Sequence, residues 1–154
     1  MVVKIGIAIY DQDDKWAIIL AENTYSNETV YFYKIVPRAN STWLRTGHTA
    51  GISYEAGLEG ILHVGDLSTE MNRMHGRMQN VYSGEGQGMH ANPTRLPWGP
   101  RPWVVRALRS LEKEEGLVLP AVPDVQLPVY IMQRIYQLKS MSGIEPRRRC
   151  IPLM

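Results

Sequence analysis

Apolar, β-branched segments alternate with short polar turns at the start of the chain, as they do in successive β-strands. Strands are predicted over Lys4–Ile9, Lys15–Ala21 and Thr29–Val36. The second of these segments is almost continuously apolar, so we expect this strand to be buried on both faces. Because the polar turn over residues 11–14 is short, the first two strands are predicted to be antiparallel.

The middle of the chain changes from strand to helix patterning. Further strands are predicted at three places: Trp43–Arg45, Ile52–Tyr54 and Leu58–Val64. The segment Thr69–Gln79 is predicted to be a helix with Ser68 as its N-cap. Three methionines fall on one face of this helix, which is therefore the face expected to be buried: Met71, Met74 and Met78.

The second half of the chain contains the most regular helical pattern. Trp103–Glu115 is predicted to be a helix with Pro102 in its first turn and Gly116 as its C-cap. Its predicted buried stripe consists of Val104, Ala107, Leu108 and Leu111. A last helix is predicted over Pro128–Leu138. The pattern as a whole predicts an α+β fold in which an antiparallel sheet packs against two or three helices.

The length of 154 residues indicates one domain, which we place at residues 1–140. Residues 141–154, with the basic run Arg147–Arg149, are predicted to be a flexible tail. Ser83–Pro102 is rich in glycine and proline and is predicted to be a long loop, of which Ser83–Arg95 is expected to be mobile. The repeated glycines of residues 84–88 lack the Gly-Lys-Ser/Thr ending of a phosphate-binding loop, which favours the loop interpretation.

Charge and composition exclude several classes of protein. The net charge is +2, and without the arginine run the chain is close to neutral, which argues against a nucleic-acid surface. No apolar run approaches the roughly 20 residues that span a membrane, and the N-terminus does not resemble a signal peptide, so a cytoplasmic location is expected. The single cysteine, Cys150, cannot form an internal disulfide.

Candidate catalytic residues are few and form no recognised motif. The histidines are scattered without metal-ligand spacing, so neither a metal nor a cofactor is predicted. The candidates are Lys15, Arg101, His48 and His63. Trp98 and Trp103 flank the start of the main predicted helix, where a cleft is expected to open.

Three motifs occur in a fixed order: Lys4–Tyr10, then Lys15–Leu20, then Trp98–Val104 continuing to Leu111. This order resembles a family of small fungal proteins with the pattern of a circularly permuted papain-like, NlpC-type domain. The resemblance implies a papain-like core in which a cysteine at a helix N-terminus is activated by a histidine on a neighbouring strand. Here Pro100 stands at the position of the cysteine and Lys15 at that of the histidine. Cysteine-dependent hydrolysis is therefore not expected.

Two functional hypotheses follow. In the first, the domain is a catalytically degenerate papain-like protein whose cleft binds a small, largely apolar molecule. A cofactor-independent, non-hydrolytic cyclase or isomerase of fungal secondary metabolism is then the candidate activity. The expected ligand-binding residues are Trp16, Trp98, Arg101 and Trp103. In the second, the domain is a non-catalytic protein-interaction module. The sequence does not determine an oligomeric state.

Overall fold

The computed structural model describes residues 1–86 and 92–154. Within these residues the chain forms one six-stranded sheet in the order β4-β3-β2-β1-β5-β6. The strands are β1 (Val3–Tyr10), β2 (Trp16–Glu22), β3 (Val30–Pro37), β4 (Trp43–Ala50), β5 (Leu58–Leu67) and β6 (Cys150–Pro152). The helices of the described chain are α1 (Met71–Gln79), α2 (Pro100–Glu115) and α3 (Leu127–Lys139). The predicted α+β class is confirmed.

The first three predicted strands are present, and β2 is buried on both faces from Trp16 to Ala21, as expected. The region between β3 and β5 differs from the prediction. Residues 43–50 form one eight-residue strand, whereas Ile52–Tyr54 is a single 3-10 turn and not a strand. The strand predicted over Leu58–Val64 extends to Leu67 because it pairs along the whole of β1.

The C-terminal segment corrects two predictions. Cys150–Pro152 pairs with β5 in parallel orientation, so the sheet is mixed and not wholly antiparallel. Leu153 is completely buried, and its amide donates a hydrogen bond to the carbonyl of His63 at 2.8 Å. Residues 150–153 therefore belong to the folded domain, and the predicted flexible tail over residues 141–154 is wrong for them.

The structure revises the first residue of α2 and the N-cap of α1. α2 begins at Pro100 and not at Trp103, because proline is favoured in the first helical turn. It ends at Glu115, and Gly116, whose φ is 75°, is the left-handed C-cap that was predicted. The three methionines of α1 are buried as expected, but Glu70 and not Ser68 occupies the N-cap position. No side chain caps that helix.

The sheet carries a separate apolar cluster on each face. The helix-side core contains Ile9 and Trp16 together with the buried residues of all three helices. The opposite-face core contains Tyr10, Ala17 and Phe32 and no helical residue. Adjacent strand residues thus face different environments, and this alternation decides which side chains reach the start of α2.

The predicted long loop over residues 83–102, with its segment 83–95 predicted to be mobile, is described only in part. Its central residues 87–91 lie outside the described residues, and its last three residues are the first turn of α2. No helix in residues 1–86 or 92–154 is long and apolar enough to cross a membrane.

Candidate functional site

A cavity of about 270 Å³ opens between the start of α2 and Asp14, which lies in the turn before β2. We call it the tryptophan cleft, and its lining consists of Asp14, Trp43, Leu96, Pro97, Trp98, Gly99, Pro100, Arg101 and Pro102. Aromatic and proline rings make up most of the wall. Rings lose little conformational freedom when a ligand binds, so such a wall is preorganised.

Hydrogen bonds fix the two tryptophans relative to each other. The indole Nε1–H of Trp98 donates to the carbonyl oxygen of Ser83 at 2.9 Å. The hydroxyl of Ser83 donates to the carbonyl oxygen of Trp43 at 3.1 Å. Ser83 therefore joins the edge strand β4 to the segment that precedes α2.

Arg106 holds Trp98, a wall of the tryptophan cleft, in position. Its guanidinium lies 4.1 Å from the Trp98 ring centroid and donates to the carbonyl oxygens of Tyr82 and Gly84, each at 2.6 Å. The residue is only 6% exposed, and burial lowers the pKa of its guanidinium. Arg106 is thus a positioning residue for Trp98, because its charge is held between carbonyls and an aromatic face.

The backbone at Gly99 leaves the mouth of the cleft open. Its φ of 171° is ordinary extended backbone, so a side chain is tolerated there. A Cβ atom at this position would meet only the Trp43 ring, at 3.8 Å. A larger side chain at position 99 would therefore fill the cleft and leave the main chain undisturbed.

Arg101 lies between the tryptophan cleft and a second cavity of about 290 Å³. Its guanidinium is 5.7 Å from the Trp16 ring centroid, and Nη1 is 3.6 Å from the sulfur of Met132. Both of those residues line the second cavity, whereas Arg101 lines the first. The arginine side chain therefore separates two neighbouring apolar cavities.

The predicted ligand-binding residues do not all share one surface. Trp98 and Arg101 line the tryptophan cleft, and Trp16 contributes one edge to the second cavity although it is only 1% exposed. Trp103 is completely buried in the helix-side core and lines neither cavity. Trp103 thus has a structural role in the core, and its assignment as a wall of the site is wrong.

Lys15 and Arg101 lie on different faces of the sheet. The Lys15 ammonium is 4.3 Å above the ring of Tyr10, which belongs to the opposite-face core. Tyr10 donates a hydrogen bond to Glu55 Oε2 at 2.7 Å, and His48 Nε2 lies 2.8 Å from the same oxygen. Two catalytic candidates, Lys15 and His48, therefore meet in one polar cluster around Tyr10 and Glu55, on the face of the sheet opposite the helices.

His63 lies at the other end of this face of the sheet. Its Nε2 is 3.1 Å from Asp66 Oδ1, and its Nδ1 is 2.7 Å from the Tyr25 hydroxyl. When Nε2–H donates to the carboxylate, Nδ1 accepts from the tyrosine. Burial lowers the pKa of His63 more than the carboxylate raises it, so the ring is neutral at pH 7.

Three contributors to the site were not predicted: Asp14, Trp43 and Arg106. The sequence signal for Arg106 is its position inside an otherwise apolar stretch of α2, where an arginine requires buried acceptors. Asp14 and Trp43 reach the cleft through tertiary packing and carry no local signal.

Among residues 1–86 and 92–154, no group of three or more histidine, cysteine or acidic side chains could hold a metal ion. Comparison of this chain with protein-family models, with curated proteins and with solved structures finds no match. The resemblance to permuted papain-like proteins therefore depends on the sequence motifs alone and stays a hypothesis.

Proposed function

We propose that this protein binds a small, largely apolar molecule in the tryptophan cleft, with Arg101 contacting an anionic group of that molecule. One observation carries the proposal: aromatic, proline and leucine side chains enclose about 270 Å³, and Arg101 is the only cation among the described lining residues. An apolar wall with very few polar groups is typical of small-molecule sites.

The volume limits the size of the ligand. Drug-sized ligands occupy pockets of roughly 300–1,000 Å³, so the tryptophan cleft alone suits a molecule of one or two rings. Movement of the Arg101 side chain would join the cleft to the neighbouring cavity of about 290 Å³ and admit a longer ligand. A carboxylate on the ligand would favour this movement by attracting the guanidinium.

The proposal includes a degenerate papain-like origin, supported by Pro100 at the N-terminus of α2, which has no nucleophilic atom. The Lys15 ammonium is held over Tyr10 on the other face of the sheet, so it provides no base at the cleft. If the bound molecule reacts, cofactor-independent cyclisation or isomerisation fits best. The preorganised rings would fix the reactive conformer, and Arg101 would stabilise developing negative charge.

A second candidate function is protein interaction, which is favoured by the outer face of α3. Three apolar residues at helical spacing are exposed there: Val129 at 57%, Met132 at 39% and Tyr136 at 79%. Exposed apolar stripes often mark interaction surfaces. This candidate predicts that Tyr136→Ser abolishes partner binding, whereas a substitution that fills the tryptophan cleft does not.

Fragment binding tests the proposal, with 2-naphthoate as the anionic probe and naphthalene-2-methanol as its uncharged counterpart. Gly99→Val is expected to weaken both probes about tenfold or more, because its methyl groups occupy the cleft. Arg101→Gln is expected to weaken only 2-naphthoate, by about tenfold, since a charge-assisted hydrogen bond contributes about 1.5–3 kcal/mol. Titration followed by tryptophan fluorescence measures both effects.

Arg38→Gln is the matched control for charge, because Arg38 is exposed in the turn after β3. It should bind both probes like the parent protein, and thermal unfolding should be nearly unchanged in all three variants. Parent-like binding of both probes by Gly99→Val would show that the tryptophan cleft is not the site.

A further inference from the structure

A larger cavity, of about 570 Å³, lies on another part of the domain and shares no lining residue with the tryptophan cleft. The turn after β2, the 3-10 turn after β4 and the C-terminal segment form its walls. Four cationic residues line it: Lys4, Arg147, Arg148 and Arg149. We call this cavity the basic pocket. Glu28 is the one acidic residue among its described lining residues.

The arginines of the basic pocket make few hydrogen bonds within the protein. Nε of Arg149 is buried and has no hydrogen-bond partner among the described residues, and the carboxylate of Glu59 is 3.9 Å from Nη1. Arg148 is likewise 3.9 Å from the carboxylate of Glu145. A separation of 3.9 Å is too long for a hydrogen bond. The terminal nitrogens of these guanidinium groups, and not the buried Nε of Arg149, therefore keep N–H donors that suit an external acceptor.

Arg147 is held in place without being neutralised. Its Nη1 donates to the carbonyl oxygen of Ser53 at 2.6 Å, and no carboxylate in the described chain forms an ion pair with it. The carbonyl fixes the direction of the guanidinium while its full charge remains. Guanidinium groups in a fixed orientation recognise phosphate oxygens through paired hydrogen bonds.

The remaining wall suits the non-ionic part of a ligand. The Tyr54 ring is 86% exposed at the edge of the pocket and is free to stack on another planar ring. The turn after β2 contributes the hydroxyl groups of Thr24 and Ser26, which hydrogen-bond each other at 2.8 Å. It also contributes the amide of Asn27, whose Nδ2 donates to the carbonyl of Glu22. The second hydroxyl proton and the Oδ1 of the amide can still hydrogen-bond sugar hydroxyls or ring nitrogens.

We propose that the basic pocket is a binding site for a small phosphate monoester that carries a planar ring, with a nucleoside monophosphate as the simplest example. The arginines bind the phosphate, and Tyr54 stacks on the ring. The site is independent of the tryptophan cleft. It also gives the Arg147–Arg149 run a role that a solvated tail would not have.

No covalent chemistry is assigned to the basic pocket. Cys150 lines it, but burial raises the pKa of its thiol, which therefore stays protonated at neutral pH. The full chain has a net charge of only +2. Such a low net charge favours one small ligand over a nucleic-acid strand, which requires a continuous basic surface.

Calorimetric titration with three probes tests the proposal: adenosine 5′-monophosphate, adenosine and ribose 5-phosphate. At low ionic strength the nucleotide is expected to bind about tenfold or more tightly than adenosine, because the phosphate makes charge-assisted hydrogen bonds. Ribose 5-phosphate should bind about fivefold more weakly than the nucleotide, since it lacks the planar base that stacks on Tyr54. Equal binding of the nucleotide and adenosine would overturn the proposal.

Substitutions of residues in the basic pocket test whether the nucleotide binds there. Arg147→Gln and Arg149→Gln should each weaken nucleotide binding about tenfold. Tyr54→Ala should lower the affinity for the nucleotide to the affinity that the parent protein has for ribose 5-phosphate. Arg38→Gln removes the same charge elsewhere and should bind like the parent protein. If Arg38→Gln and Arg147→Gln weaken binding equally, the attraction is non-specific and the assignment is wrong. Arg147 is on the surface, so its variant keeps the test valid even if Arg149→Gln unfolds.

Discussion

Trp103→Ala is expected to lower the free energy of unfolding by about 3–5 kcal/mol, the range found when a large aromatic side chain is removed from a core. Trp103 is completely buried on α2 and packs in the helix-side core between the helices and the sheet. No neighbouring side chain can fill the space of an indole without disturbing this packing. Chemical denaturation followed by circular dichroism measures the loss.

Two companion variants separate packing from hydrogen bonding. The Trp103 indole Nε1 is buried without a hydrogen-bond partner, so Trp103→Phe removes an unsatisfied donor and should cost about 1–2 kcal/mol, less than alanine. Trp98→Ala should also cost less than Trp103→Ala, because Trp98 is only half-buried. It should, however, eliminate binding of 2-naphthoate. Equal destabilisation by Trp98→Ala and Trp103→Ala would contradict the division into a cleft tryptophan and a core tryptophan.

Arg106→Gln is expected to reduce both stability and ligand binding. Hydrogen bonds that involve a charged group contribute about 1.5–3 kcal/mol each, and the guanidinium makes two of 2.6 Å with the carbonyls of Tyr82 and Gly84. We therefore expect a loss of about 2–4 kcal/mol in the free energy of unfolding. The Trp98 ring also loses the cation that lies 4.1 Å from its centroid, so 2-naphthoate should bind several-fold more weakly.

The rescue variant for this position is Arg106→Lys. Lysine keeps the charge but not the planar, forked donor set, so it should restore only part of the stability. Arg101→Gln is the matched control on the same helix. Arg101 is half-exposed and donates only to a sulfur at 3.6 Å, and its replacement should leave stability nearly unchanged. Parent-like unfolding of Arg106→Gln would contradict the positioning role.

Local patterning was sufficient for the elements that are built from apolar residues. β1, β2 and α2 were predicted because their buried side chains recur at the period of a strand or a helix. β4 was predicted only as a fragment, since none of its eight residues is fully buried. It exists because it pairs with β3 along its whole length, and hydrogen bonding at an edge leaves no hydrophobic pattern.

β6 could not be predicted for a related reason. It has three residues, of which none is fully buried, and it pairs in parallel with a strand distant in sequence. The basic run before it resembled a solvated tail because its arginines carry charge and no periodicity. Only the tertiary structure shows that Arg149 is largely buried against the sheet.

The candidate site was predicted in part. Trp98 and Arg101 were found because they adjoin the start of the main helix. The sequence could not show on which face of the sheet Lys15 and Trp16 lie. Because β2 is buried on both faces, either side chain could point toward α2. The structure places Trp16 on the helix side and Lys15 over Tyr10 on the other side.

The most direct test of the proposed function uses the indole N–H resonances of the four tryptophans during titration with 2-naphthoate. Binding in the tryptophan cleft should shift the Trp43 and Trp98 signals strongly and the Trp16 signal less, and should leave the signal of buried Trp103 in place. Single tryptophan-to-phenylalanine variants assign each signal. Unshifted Trp43 and Trp98 signals at saturating 2-naphthoate would contradict the proposed function.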